Sequence, residues 1–132
     1  MKRKCFMRKL CCLILFIAIA FSATADTFHK YSGETQKDIA YAKKIYNTFN
    51  KYGVWAVEVS EMMMFVHITE TLYREFLYDK VTGKQIIRGW ARGLQQSTGE
   101  KVVDITVLFD NTTVITAGYS LWKGEIIVKY HE

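Results

Sequence analysis

Residues 70–97 read ETLYREFLYDKVTGKQIIRGWARGLQQS, and the fold turns on whether this stretch is one helix or a hairpin. Leu72, Phe76, Gly83, Ile87, Trp90 and Leu94 follow the helical repeat of about 3.6 residues, and Tyr73, Leu77, Ile86 and Ala91 widen the stripe. The opposing reading takes Asp79-Lys80-Val81-Thr82-Gly83-Lys84 as a turn joining strands from Tyr73 to Tyr78 and from Gln85 to Ala91. Ile86, Ile87, Trp90, Ala91 and Leu94 fit helical spacing better than alternation. One long helix over 70–97 is therefore expected, with Asp79 interrupting its stripe and Gly83 bending it.

On either side of this segment the period falls to two. Trp55, Val57 and Val59 share one parity, while Met62, Met64, Val66 and Ile68 take the other. That slip in phase predicts two short strands, 54–59 and 62–69, broken at Ser60-Glu61. Further upstream, Ile39, Ala42, Ile45, Tyr46, Phe49 and Tyr52 recur at helical spacing between a Thr35/Asp38 capping pair and Gly53, which gives a helix over 35–52. Downstream, Val103, Ile105, Val107 and Phe109 alternate up to a turn at Asp110-Asn111-Thr112, and Val114 to Leu121 return as the second arm of a hairpin. A last strand, Glu125 to Tyr130, follows the turn at Lys123-Gly124.

The order α-β-β-α-β-β-β predicts a single small two-layer α+β domain over 35–132, with about five strands, mostly antiparallel, and both helices on one face of the sheet. Residues 26–34 read as a flexible N-terminal segment. The αββαβ part resembles the topology of small periplasmic BON-type modules. The glycine-rich strand pattern of such modules is missing between Val54 and Thr69, and no residue role is carried over.

The first 25 residues have the form of a secretory signal peptide. Lys2, Arg3, Lys4, Arg8 and Lys9 precede an apolar run from Leu10 to Phe21, and Ala23 and Ala25 stand at −3 and −1 before Asp26. Twelve apolar residues make a helix of about 18 Å, whereas a bilayer core of about 30 Å needs around 20 residues, so cleavage after Ala25 is expected over a retained anchor. The short run and Ala-x-Ala site have a bacterial form, which places the product in the periplasm or outside the cell. The membrane is then met only through the transient signal peptide.

Removing that segment changes the chemistry left to explain. Eighteen Lys and Arg face thirteen Asp and Glu over the whole chain; five of the bases and none of the acids precede Asp26, so thirteen of each remain and the motive for a nucleic-acid partner goes. Cys5, Cys11 and Cys12 leave with it, and with them disulfide and thiol chemistry. No catalytic, metal or cofactor motif stands out in the remainder, and no cofactor is expected. Asp104 and Asp110 lie about 20 Å apart along one strand and cannot act as a local carboxylate pair. Met62, Met63, Met64 and His67 carry soft donors, yet strand alternation sends them to opposite faces, which favours packing over copper binding.

Two function classes remain. The first is a non-catalytic secreted or periplasmic module that binds a protein or a cell-envelope component, as an inhibitor, immunity protein or assembly subunit does. Its candidate contact residues are Arg88, Trp90 and Arg92, on a basic stripe (Lys80, Lys84, Arg88, Arg92) beside the small-residue ridge Gly89-x-x-x-Gly93, and Trp122, expected at a strand end. The same stripe also reads simply as a solvated face complementing the helix dipole, and the ridge as a packing surface. The second class is a small secreted enzyme or metal carrier built around His67 with carboxylates supplied by the fold.

Overall fold

The computed structural model describes residues 30–132. The segment expected to be a signal peptide, with its expected cleavage positions Ala23 and Ala25, and residues 26–29 lie outside the described residues. From Lys30 onward the chain forms β1 (Tyr31–Gly33), α1 (Gln36–Phe49) with a short 3-10 turn (Asn50–Tyr52), β2 (Val54–Ser60), β3 (Met63–Ile68), α2 (Glu70–Tyr78), α3 (Lys80–Thr98), β4 (Asp104–Phe109), β5 (Thr112–Ser120) and β6 (Glu125–Tyr130). The result is an α+β fold of three helices packed against one six-stranded mixed sheet.

The strands lie in chain order, β1-β2-β3-β4-β5-β6. The β1–β2 and β3–β4 pairs are parallel and the other three antiparallel. Parallel neighbours cannot be joined by a tight turn, so each parallel pair needs a helical crossover. Helix α1 supplies the first, and α2 with α3 the second. The sheet thus has six strands where about five are expected, and two parallel pairs make it mixed. The sixth is β1, at Tyr31–Gly33 inside the segment expected to be flexible, where it pairs with Val57–Val59. A three-residue strand is too short to show a period in sequence.

The single long helix is also corrected. Asp79, with φ −128° and ψ 84°, leaves helical geometry, and its carboxylate accepts from the Thr82 amide at 3.1 Å and the Thr82 hydroxyl at 2.8 Å. It therefore ends α2 and N-caps α3. The interruption falls at Asp79 and not at Gly83, because a side chain that caps a new helix competes with continuing the old one. Thr69 caps α2 through the Leu72 amide, and Thr35 and Asp38 form a reciprocal capping box on α1, as their spacing predicts.

Alternation along the strands builds the core. Val57, Val59, Met64, Val66, Ile105 and Val107 are buried against the helices with Ala42, Ile45, Ile87, Trp90, Ala91 and Leu94. Each Val, Leu, Ile or Met among them contributes about 1.5–3 kcal/mol on leaving water, before conformational entropy is counted, and the alanines less. The expected phase slip falls in the two-residue turn between Ser60 and Met63, where Glu61 takes φ +58°. The Asp110-Asn111 turn has both residues at positive φ, the geometry that matches strand twist in a two-residue hairpin.

Helices α1 and α3 meet through Tyr41. Its hydroxyl donates to the Trp90 carbonyl at 2.6 Å, and its ring lies against Gly93, where an added Cβ would stand 2.2 Å from the hydroxyl oxygen. An added Cβ at Gly89 would meet nothing within 4 Å. The two glycines of the ridge thus do different things: Gly93 seats an aromatic ring, whereas Gly89 leaves an open helix position. Gly93→Ala is expected to destabilise the protein by about 1–3 kcal/mol through overpacking. Gly89→Ala should stabilise it by about 0.5–1 kcal/mol through helix propensity. Denaturant unfolding of the two variants checks both signs.

Candidate functional site

The exposed large apolar residues gather at the two ends of the sheet. One end is formed by the β2–β3 turn, the entry to β4 and the β5–β6 turn, which the register brings together: Met63 and Gly118 both pair with Asp104, and the Asp104 amide donates to the Met62 carbonyl at 2.9 Å. Met62, Val102, Leu121 and Trp122 are exposed there, Leu121 at 78 % and Trp122 at 95 %. The turn that carries this pair is held from within, since the Gly124 amide donates to the Ser120 carbonyl at 2.7 Å and the Lys123 amide to the Ser120 hydroxyl at 3.2 Å.

The other candidate residues do not join Trp122. Trp90 is 2 % exposed, packed edge-on against Phe49 with ring centroids 5.3 Å apart, and so belongs to the core and not to a contact face. Its indole nitrogen is buried without a hydrogen-bond partner. Such a buried donor costs about 1–3 kcal/mol, which the packing around it must offset. Arg88 is half-buried, its Nε 3.4 Å from the Ile126 carbonyl on β6. Arg92 is exposed beside Gly89 and Gly93 in the groove between α1 and α3. Lys80, on the same stripe, pairs with Glu132 and stands over the Tyr130 ring. Two members of the basic stripe therefore reach β6 from α3.

At the opposite end a pocket of about 420 Å³ opens where the end of α1 meets α2 and α3. Phe49, Leu72, Phe76 and Ile86 make its apolar wall, and Tyr52 and Tyr78 its exposed aromatic rim. Behind the Phe76 wall, the Tyr130 hydroxyl on β6 donates to the Phe76 carbonyl at 3.0 Å. Burial, and then the charges of Asp79 and Glu132, push the Tyr130 hydroxyl above the usual phenol range. Hydrogen bonds from the Thr82 hydroxyl and amide hold the Asp79 carboxyl below the usual carboxylate range. The residues of this rim carry no catalytic motif; the available signal was Asp79 three residues before Thr82, an N-cap spacing inside a helical stripe.

His67 lies half-buried on the sheet face away from the helices. Its Nε2 is 3.4 Å from the Glu58 carboxylate, and its ring centroid is 5.1 Å from that of Trp55. Met63 shares its parity, but Met64 is fully buried in the core and Met62 stands in the turn. Among the described residues no three His, Cys, Asp or Glu side chains are grouped to hold a metal ion, and no helix is long and apolar enough to cross a membrane.

No family model matches the chain, and no curated protein or solved structure matches it either. Function is therefore read from its own residues.

The Asp79 cap gives a pH dependence with a defined sign. A carboxyl whose folded pKa is depressed adds stability that is complete above its unfolded value, about 3.9, and is lost as pH falls through the lower folded value. Asp79→Asn retains a capping side chain but not the charge. The melting temperature of the wild type should exceed that of Asp79→Asn near neutral pH, and the gap should close as the solution is acidified below pH of about 4. Paired thermal melts across that range measure it.

Proposed function

We propose that the chain is a non-catalytic module, exported to the periplasm or secreted by its N-terminal signal peptide, that binds a protein or a cell-envelope component. The observation that carries this reading is the Leu121-Trp122 pair, almost fully exposed at the tip of a turn that its own hydrogen bonds hold in shape. A large aromatic side chain in water on a turn whose backbone is already held can bury its apolar area in a partner with only its own rotamers left to order. It is the kind of residue that anchors interfaces. Met62 and Val102 extend the apolar rim at the same end, and Lys123 and Glu125 flank the tip with charge. The inhibitor, immunity and assembly-subunit types share this requirement for a presented contact surface. The alternative, a small secreted enzyme or metal carrier built around His67, has Glu58 as the carboxylate beside that ring and draws no second observation in its favour.

The test is a pull-down from cell-envelope extract with the wild type and with the Leu121→Ser/Trp122→Ser variant. Neither side chain supports the core, so the variant should melt with the wild type. A species retained by the wild type should bind the variant about thirtyfold more weakly, the loss typical of a central aromatic anchor. Equal binding by both proteins, or no species specific to the wild type, overturns the reading.

A further inference from the structure

The pocket at the other end of the sheet carries a separate inference. Its walls combine aromatic rings with negative charge: Phe49, Tyr52, Phe76 and Tyr78 line it together with Glu75 and Asp79, and no Lys, Arg or His does. A volume of about 420 Å³ falls in the range of small-molecule sites. The Asp79 carboxylate accepts two bonds from Thr82, which hold its carboxyl below the usual carboxylate range. Among the described residues no ion pair engages Glu75, since the adjacent Arg74 is taken by Glu70 at 2.6 Å. Tyr78 is 95 % exposed at the mouth, an aromatic ring presented to solvent directly beside these two carboxylates.

We infer that this pocket binds a small organic cation, an ammonium group carried on an aromatic or branched alkyl body. The apolar body would fill the space between Phe49 and Phe76, and the positive head would sit between Tyr78 and the two carboxylates. Both attractions select the same sign of charge: a π face and a carboxylate each favour a cation and repel an anion. The Lys51 ammonium already stands 5.2 Å from the centroid of Tyr52, so Tyr78 is the rim ring that receives the cation. An ammonium with its charge spread over methyl groups loses less hydration on entering than a bare metal ion does, and that suits a wall that is mostly carbon. The inference does not rest on the Leu121-Trp122 rim, which lies at the opposite end of the sheet.

The test titrates the isotope-labelled full chain with three probes of one shape: benzyltrimethylammonium, its neutral isostere dimethylbenzylcarbinol, and anionic benzylsulfonate. Backbone amide shifts should move at Tyr78, Thr82 and Gly83 with the cation, which should bind about fivefold more tightly than the carbinol, while benzylsulfonate should give the weakest response. Glu75→Gln, a change at an exposed position, should weaken the cation by about threefold to fivefold and leave the carbinol unchanged. Equal affinity for the cation and the carbinol overturns the assignment. So does a preference for the sulfonate, a response confined to other residues, or no response at millimolar cation.

Discussion

The bond pair from Thr82 to Asp79 shapes more of this molecule than any other local contact. A stretch whose apolar stripe runs on from Leu72 to Leu94 would lie along the sheet as a single rod. Because one carboxylate caps Thr82, the chain leaves α2 and re-enters a helix in a new direction. The crossover between the parallel strands β3 and β4 then has two segments with a corner between them. That corner, set against the end of α1, encloses the pocket.

From that corner α3 runs across the sheet with its partners fixed. Tyr41 seats against Gly93 and donates to Trp90, so α1 is locked to α3 in register. Tyr130 reaches from β6 to the last turn of α2, and Lys80 pairs with Glu132. The helix layer is thereby tied to both halves of the sheet, and the apolar groups left in water are pushed to the ends. One end presents Leu121 and Trp122 on a turn, the other Tyr52 and Tyr78 around a pocket. Presented aromatic surface is the common chemical property of both ends, and binding is the class of function it suits.

Much of this was legible in the sequence. The Thr35/Asp38 capping box, the break at Ser60-Glu61, the Asp110-Asn111 hairpin and the exposure of Trp122 all follow from short-range rules, because caps and turns are decided by a few neighbouring atoms. Three features were not. Strand β1 is too short to show a period, and its parallel partner lies across a whole helix. Trp90 sits on a stripe that reads equally as a contact ridge until α1 is placed over it, and only then does Tyr41 claim Gly93. The pocket depends on the direction taken after Asp79, and no spacing of apolar residues encodes that angle. Asp79 was visible as an interruption of the stripe, but as a gap in hydrophobicity and not as a cap.

The break at Asp79 is the claim on which the rest stands, and backbone chemical shifts with ring-to-backbone contacts measured by NMR test it most directly. Helical Cα shifts over Glu70–Tyr78 and again over Lys80–Thr98 should flank a non-helical value at Asp79, and the Tyr130 ring should show a short contact to the Gly83 α-protons. Unbroken helical shifts through Asp79, or strand shifts over Tyr73 to Tyr78 and Gln85 to Ala91, would contradict it and remove both the corner and the pocket.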